Sequence, residues 1–289
     1  MAQLTQPLYY VNGEFVSAHE ARLPVNDLSI VRGYGVFDYT RSYNGRPFKL
    51  HEHILRLERS AAAIDLALPW STADLTTIVQ ETFERNGYPD AGIRIVVTGG
   101  PAEDFMTPQG KPSLLVMITP ITSSQAAAQT AGVKITTVEM DRVLPTVKSI
   151  NYLGAIMAVE AAKREGAVEA VYRTADGLLT EGTRANLFVF KGDQLITASE
   201  DVLAGITRSV IFEIASDDFT VVQGPVRYEE IRAGTVDEVF ITSSTKEILP
   251  VIQVDDIQVG NGRPGPKTQK LLALFHSYVE NDSRDRISG

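Results

Sequence analysis

Cysteine is absent from this chain of 289 residues. That omission removes disulfides, thiolate metal sites and a cysteine nucleophile together. Positive charge is scarce as well: 27 Lys and Arg stand against 36 Asp and Glu, a formal net charge of -9. A nucleic-acid binder needs a basic face, so no such partner is expected. No uncharged apolar run approaches the ~20 residues that cross a bilayer, so no membrane partner is expected either. The start, MAQLTQPLYYVNG, lacks both the basic and the apolar region of a secretory leader, so no signal peptide and a cytoplasmic setting are expected. RGYGVFD carries two glycines but not GxGxxG, and there is neither a Walker loop nor a GxSxG elbow. HEHIL is not HExxH, and His51 and His53 have no evident third ligand, so no metal is expected.

What is present describes an ordinary globular protein, with 44% hydrophobic and 22% charged residues and length for one large domain or two modest ones. Asn-Gly in YYVNGEFV and SYNGRPFKL marks two hairpins. HEHILRLERSAAAIDLAL and STADLTTIVQETFERNG read as amphipathic helices, the second ending at Gly87. AGIRIVVTGG and PSLLVMITP read as buried strands, whereas ITSSQAAAQTAG, residues 121–132, loses apolar periodicity and reads as a linker. Beyond it come a strand at 133–139 and a helix from Ile150 to about Lys163, with Asn151 as its cap. Leu153, Ile156, Met157 and Val159 form the apolar side of that helix. Hairpins at Asp176-Gly177 and Gly192-Asp193, helices near 206–216 and 227–232, the strand VDEVFITSS and a C-terminal helix complete the chain. The expected fold is α+β, with an N-terminal domain at 1–120, the linker at 121–132 and a second domain at 133–289.

A helix N-terminus carries partial positive charge, so Lys148, just ahead of the expected helix, is out of place there. One reading is a plain surface lysine. The other is an amine with a lowered pKa, a nucleophile that forms a Schiff base with an aldehyde cofactor or a carbonyl substrate. Other groups also carry two readings. GITR, residues 205–208, is a helix cap or an anion site at a helix start. ITSSTKE, residues 241–247, is a Ser-rich turn or a cluster of hydroxyls around an anion. Arg56 snorkels from an apolar helix face or meets a phosphate. Glu181 in LTEGTRANLFVF is an exposed turn residue or the carboxylate that keeps a heterocyclic nitrogen protonated.

Four ordered motifs, VKSINYLGAIMA, TEGTRANLFVF, VLAGITRSVI and FITSSTKEILPV, resemble the class IV (fold type IV) pyridoxal-phosphate aminotransferases. The resemblance runs from VNDLSIVRGYGVFDY to GPKTQKLLALF. It implies a small N-terminal α/β domain, a larger domain with a β-barrel-like core, and pyridoxal 5'-phosphate as cofactor. It also implies a homodimer with shared active sites, closed by loops around Arg32 and residues 99–108. In the same way it implies Lys148 as the Schiff-base lysine and proton shuttle, and Glu181 as the partner of the ring nitrogen. Arg56, the Ile206 N–H, Thr207 and Ser244 would hold the phosphate, Leu203 would pack on the ring, and Asn186 and Tyr152 would support the cofactor's polar edge.

Within the family the resemblance divides. PAEDFMTP lacks the Arg-x-His pair of bacillus-type D-amino acid aminotransferases. Phe37 and Ile93-Arg94 resemble the branched-chain enzymes, but those keep a small residue where this chain has Arg184. Arg32 in SIVRGYG is a second arginine, and arginines suit a carboxylate by bidentate pairing. The pattern resembles a less typical D-amino acid transaminase group. The expected reaction moves the amino group of a D-amino acid (D-alanine or D-glutamate type) to a 2-oxo acid. Arg32 and Arg184 are the expected carboxylate trap, a structural ion pair being the alternative for each. The rival activities are an L-branched-chain amino acid aminotransferase and a lyase of the aminodeoxychorismate type.

Overall fold

The computed structural model describes residues 6–122 and 125–285. The chain divides into two compact units, the first running to Thr122 and taking in Val147–Asn151, the second formed by the remainder.

In the first unit the elements are β1 (Leu8–Val11), β2 (Glu14–Ser17), α1 (Leu28–Arg32), β3 (Gly35–Tyr43) and β4 (Arg46–Pro47). They are followed by α2 (Leu50–Ala62), α3 (Thr72–Asn86), β5 (Ala91–Thr98) and β6 (Ser113–Pro120). The six strands form one antiparallel sheet in the order β2-β1-β6-β5-β3-β4. Both Asn-Gly pairs turn hairpins with positive φ at each residue, the conformation these two types adopt most readily. Ser71 and Asp74 form a capping box at the start of α3, and Gly87 closes it in the left-handed region. Ile54, Leu57 and Ala61 of α2 share one core with Leu75, Val79 and Phe83 of α3 and with the inward residues of β5 and β6.

The second unit opens with α4 (Ala126–Ala131), β7 (Val133–Glu139), α5 (Leu153–Arg164), β8 (Ala170–Arg173), β9 (Leu178–Gly182), β10 (Ala185–Lys191) and β11 (Gln194–Thr197). Then come α6 (Ile206–Ala215), β12 (Thr220–Gln223), β13 (Val226–Arg227), α7 (Tyr228–Arg232), β14 (Glu238–Ser243), β15 (Glu247–Val254), β16 (Ile257–Gln258) and α8 (Pro266–Asp285). Six strands close into a barrel, because the path β10-β14-β15-β7-β8-β9 returns through the β9–β10 ladder. The expected α+β fold with a barrel core is borne out. No helix among the described residues is long and apolar enough to cross a membrane.

The stretch 121–132, expected as a linker, contains α4, and residues 123 and 124 within it lie outside the described residues. Alanine favours the helix, while Gln129 points inward and donates to Glu247 at 3.1 Å, so no apolar period marks it. The helix expected from Ile150 starts only at Leu153; its N-cap is Tyr152, and Asn151 does not cap it. Its buried side is Ala155, Ala158, Val159 and Ala162, whereas Leu153, Ile156 and Met157 are exposed. Ala158 and Ala162 pack with Ala167, Ala170 and Val138, a close approach that small side chains permit.

Candidate active site

β3 organises the chemistry of the first unit. Phe37 N–H donates to the Lys148 carbonyl at 2.9 Å, Ile150 N–H donates to the Gly35 carbonyl at 3.1 Å, and Val36 bridges Ser149. Lys148 N–H donates to Ser60 Oγ of α2 at 3.2 Å. Lys148 therefore stands on a short extended segment laid along β3, not at a helix terminus. Its Nζ lies 4.8 Å from the centre of the Phe37 ring. Arg94, exposed on β5 opposite Tyr39, brings its guanidinium to 5.2 Å from the same ring.

Asp38, the next residue of β3, is fully buried. Arg56 donates to it twice, Nε to Oδ2 at 2.8 Å and Nη2 to Oδ1 at 2.8 Å, and His53 Nδ1 lies 2.6 Å from Oδ1. His53 and Arg56 reach it together because three residues of helix separate neighbours on one face. Arg56 is thus a buried, oriented cation and not a snorkelling one. Burial works against ionisation of Asp38, but the charges and hydrogen bonds of Arg56 and His53 together outweigh it and hold the carboxyl far below its ordinary range. Burial lowers the His53 pKa despite the facing carboxylate, and the Arg56 and Lys148 charges add to the lowering. A neutral His53 donates Nδ1–H to Asp38. His51, two positions earlier, is exposed.

Both shifts make the folded chain less stable in acid. Unfolded His53 takes up its proton at about pH 6.5, above the folded value, so stability falls as pH drops through that point. The Asp38 contribution is complete above about pH 3.9 and is lost only below it, as the pH approaches the depressed folded value. His53→Asn is expected to flatten the melting-temperature profile between about pH 6.5 and 5. Superimposable profiles for variant and parent would remove the buried neutral histidine from this account.

In the second unit, Asn186 of β10 is the register partner of both Glu181 and Thr242. Directly opposed residues share a face, so β9, β10 and β14 present a polar row. Glu181 is 4% exposed, which rules out the turn-residue reading. Its Oε2 accepts from Asn186 Nδ2 at 2.9 Å and from the Leu203 N–H at 3.1 Å, while Oε1 accepts from Arg142. Arg142 also lies 5.7 Å from the Tyr172 ring. Sequence reasoning missed Arg142, since a charged loop residue in MDRVLP carries no periodic signal.

α6 starts at Ile206 after Gly205, and its N-cap supplies no side-chain oxygen to the first-turn amides. A Cβ on Gly205 would stand 2.0 Å from Asn186 Oδ1, so the helix start and the polar row meet only through a glycine. Thr207 is buried in that first turn, and Ser244 sits in the three-residue turn between β14 and β15. Uncapped amides with a neighbouring hydroxyl suit a phosphate ester, and an ionised carboxylate suits a protonated ring nitrogen. The arginines of the expected trap belong to different units: Arg32 is exposed in the first and donates to the Val31 carbonyl at 2.7 Å. Arg184 lies in the two-residue β9–β10 turn of the second, with Nε 3.6 Å from Glu169 and 49% of its side chain exposed. The ion pair posed as its alternative is therefore present.

Residues 35–254 match the family model of class IV amino-transferases. A Methanocaldococcus jannaschii protein, provisionally named a branched-chain-amino-acid aminotransferase, is 34% identical over 273 residues, 92% of this chain and 94% of that one. The D-alanine aminotransferase of Staphylococcus haemolyticus is 33% identical over 281 residues, 95% of this chain and 98% of that one. The branched-chain amino acid aminotransferase of T.th., solved with pyridoxamine 5'-phosphate, superposes with a TM-score of 0.89 at 26% identity, covering 96% of this chain and 95% of that one. Fold and relatives together define a fold type IV enzyme that uses pyridoxal 5'-phosphate. The chain belongs to the class IV aminotransferases.

Proposed function

We propose that the chain transfers the amino group of a D-amino acid, of the D-alanine or D-glutamate type, to a 2-oxo acid. The observation that carries this reading is Arg184, half exposed on the turn that directly follows Glu181 and Gly182. The similarity to a staphylococcal D-alanine aminotransferase supports it. Bound pyridoxal phosphate supplies an aldehyde that condenses with amines and a protonated ring that draws electron density from Cα. Lys148 presents the amine that engages the aldehyde and later carries the Cα proton. Glu181 keeps the ring nitrogen protonated; each carboxylate oxygen accepts two donors, so Arg142 need not leave. Arg56, held by Asp38, joins the Ile206 N–H, Thr207 and Ser244 in receiving the phosphate, with Leu203, Asn186 and Tyr152 as the remaining cofactor contacts. Arg32 and Arg184 hold the substrate carboxylate.

With the lysine on one side of the ring, exchanging the places of carboxylate and side chain exchanges D for L substrates. Losing one charge-assisted pair costs about 1.5–3 kcal/mol. Arg184→Ala is therefore expected to slow D-alanine and D-glutamate turnover about ten- to a hundred-fold. Turnover of (R)-1-phenylethylamine, which has no α-carboxylate, should change far less. The similarity to the Methanocaldococcus jannaschii protein favours the L-branched-chain reading as second. Preference for L-leucine in the unmodified enzyme would select it, and turnover of aminodeoxychorismate would select the lyase.

The same donor set gives a second test. Arg56→Ala is expected to bind cofactor about ten- to a hundred-fold more weakly and to lose it on dialysis; retention at the parent level would place the phosphate elsewhere.

The proposal includes a cytoplasmic homodimer. Leu153, Ile156 and Met157 are exposed on α5, Ile30 is exposed on α1, and Val25, Phe105 and Met106 are exposed in the segments before α1 and at residues 99–108. Leu153, Ile156 and Met157 fall on one face of α5, and an exposed apolar face of this kind marks an association surface. Leu153→Glu with Met157→Glu is expected to convert a sedimenting dimer into a monomer, and an unmodified chain that sediments as a fully active monomer would remove the claim.

A further inference from the structure

Glu169 stands just ahead of β8, is fully buried, and has no place in the roles above. Burying a carboxylate costs several kcal/mol unless partners meet it; the adjacent Ala170 N–H donates to Oε1 at 3.3 Å, and the side-chain partners come from two different turns. Thr183 Oγ1, in the β9–β10 turn, donates to Oε1. Lys246 Nζ, in the β14–β15 turn, lies 2.9 Å from Oε2 in an ionic contact that lacks hydrogen-bond alignment. Arg184 Nε approaches the same oxygen at 3.6 Å. Lys246 is itself largely buried, its side chain 11% exposed.

The barrel does not need these contacts to set its strands. Backbone ladders join β8 to β9, β9 to β10 and β10 to β14. Backbone hydrogen bonds fold each turn, Thr183 N–H to the Ala170 carbonyl and Lys246 N–H to the Ser243 carbonyl, and what they leave unset is the separation of these two turns at one end of β10. One follows Glu181 and carries Arg184; the other follows Thr242 and carries Ser244. A single carboxylate reaching into both turns fixes their separation.

We infer that Glu169 and Lys246, with Thr183, are positioning residues: their buried clamp holds the 244–246 turn beside the 183–184 turn and so sets Ser244 for the cofactor phosphate. The inference rests on the reading of Ser244 as a phosphate contact. It concerns the phosphate and not the ring, so it predicts a loss that depends on the phosphate being there.

The test strips the enzyme of cofactor and titrates it by absorbance with pyridoxal 5'-phosphate and, separately, with pyridoxal. Lys246→Met keeps length and apolar volume, and the double variant Glu169→Gln with Lys246→Met leaves no unpaired buried charge from the pair. Both are expected to lower the preference for the phosphorylated ligand by about tenfold, with pyridoxal affinity unchanged and the double variant melting near the parent. Parent-like preference in the double variant, whatever its melting temperature, would reduce the clamp to a structural ion pair. Ser244→Ala separates the two ideas. A lowered preference there with none in the clamp variants overturns the clamp alone, and no change in Ser244→Ala overturns the phosphate reading and the clamp with it.

Discussion

Lys148→Ala is expected to lower transamination by on the order of 10⁴-fold, since it removes both the amine and the proton carrier. The loss should be chemical and not structural. Its backbone contacts, Phe37 N–H to its carbonyl and its own N–H to Ser60 Oγ, are kept by alanine, and among its side-chain contacts the one to the Phe37 ring is lost. The melting temperature should therefore stay near that of the parent, while cofactor binds weakly and without a covalent link. Borohydride reduction of the parent followed by peptide mapping should tag the peptide bearing Lys148. A tag on any other lysine, or a variant that still turns over at the parent rate, would end the assignment.

Asp38→Ala should give the largest loss of stability. The carboxylate is the shared acceptor of the Arg56 fork and the His53 ring, all three buried. Removing one partner of a buried ion pair costs about 3–5 kcal/mol, because the remaining charge loses its buried counter-ion. Against the roughly 5–15 kcal/mol that folded domains hold in reserve, such a loss is a large fraction. Urea unfolding should show a lower midpoint with an unchanged slope. Asp38→Asn, which keeps the volume and one acceptor oxygen, should lose less. Cofactor retention should fall in both, since Arg56 is no longer aimed. An alanine variant within about 1 kcal/mol of the parent would mean that Arg56 and His53 are satisfied without Asp38.

The short-range features were legible in the residues. Asn-Gly turns, the Gly87 stop and the glycine at the start of α6 each act within a few positions, and all appear where the pattern puts them. The four motifs likewise carry their chemistry in contiguous stretches, which is why the family and its cofactor could be read from them. β15 was harder, because Pro250 argues against a strand interior; it is tolerated one position before the β7 ladder begins at Val251.

The sequence by itself determined the α+β class and the hairpin and helix punctuation, which follow from spacing and local conformational preference, and its four motifs carried the resemblance that implied the family and the cofactor. Tertiary structure alone decided which face of α5 is buried, because the alanines there match a close approach to the barrel that no hydropathy period records. It also decided that Lys148 belongs to a segment along β3, that Asp38 orients Arg56, and that Glu169 meets Lys246. Each of these joins groups far apart in the chain, where the strength of a charge depends on the burial and partners that folding creates, and no run of neighbouring residues encodes either.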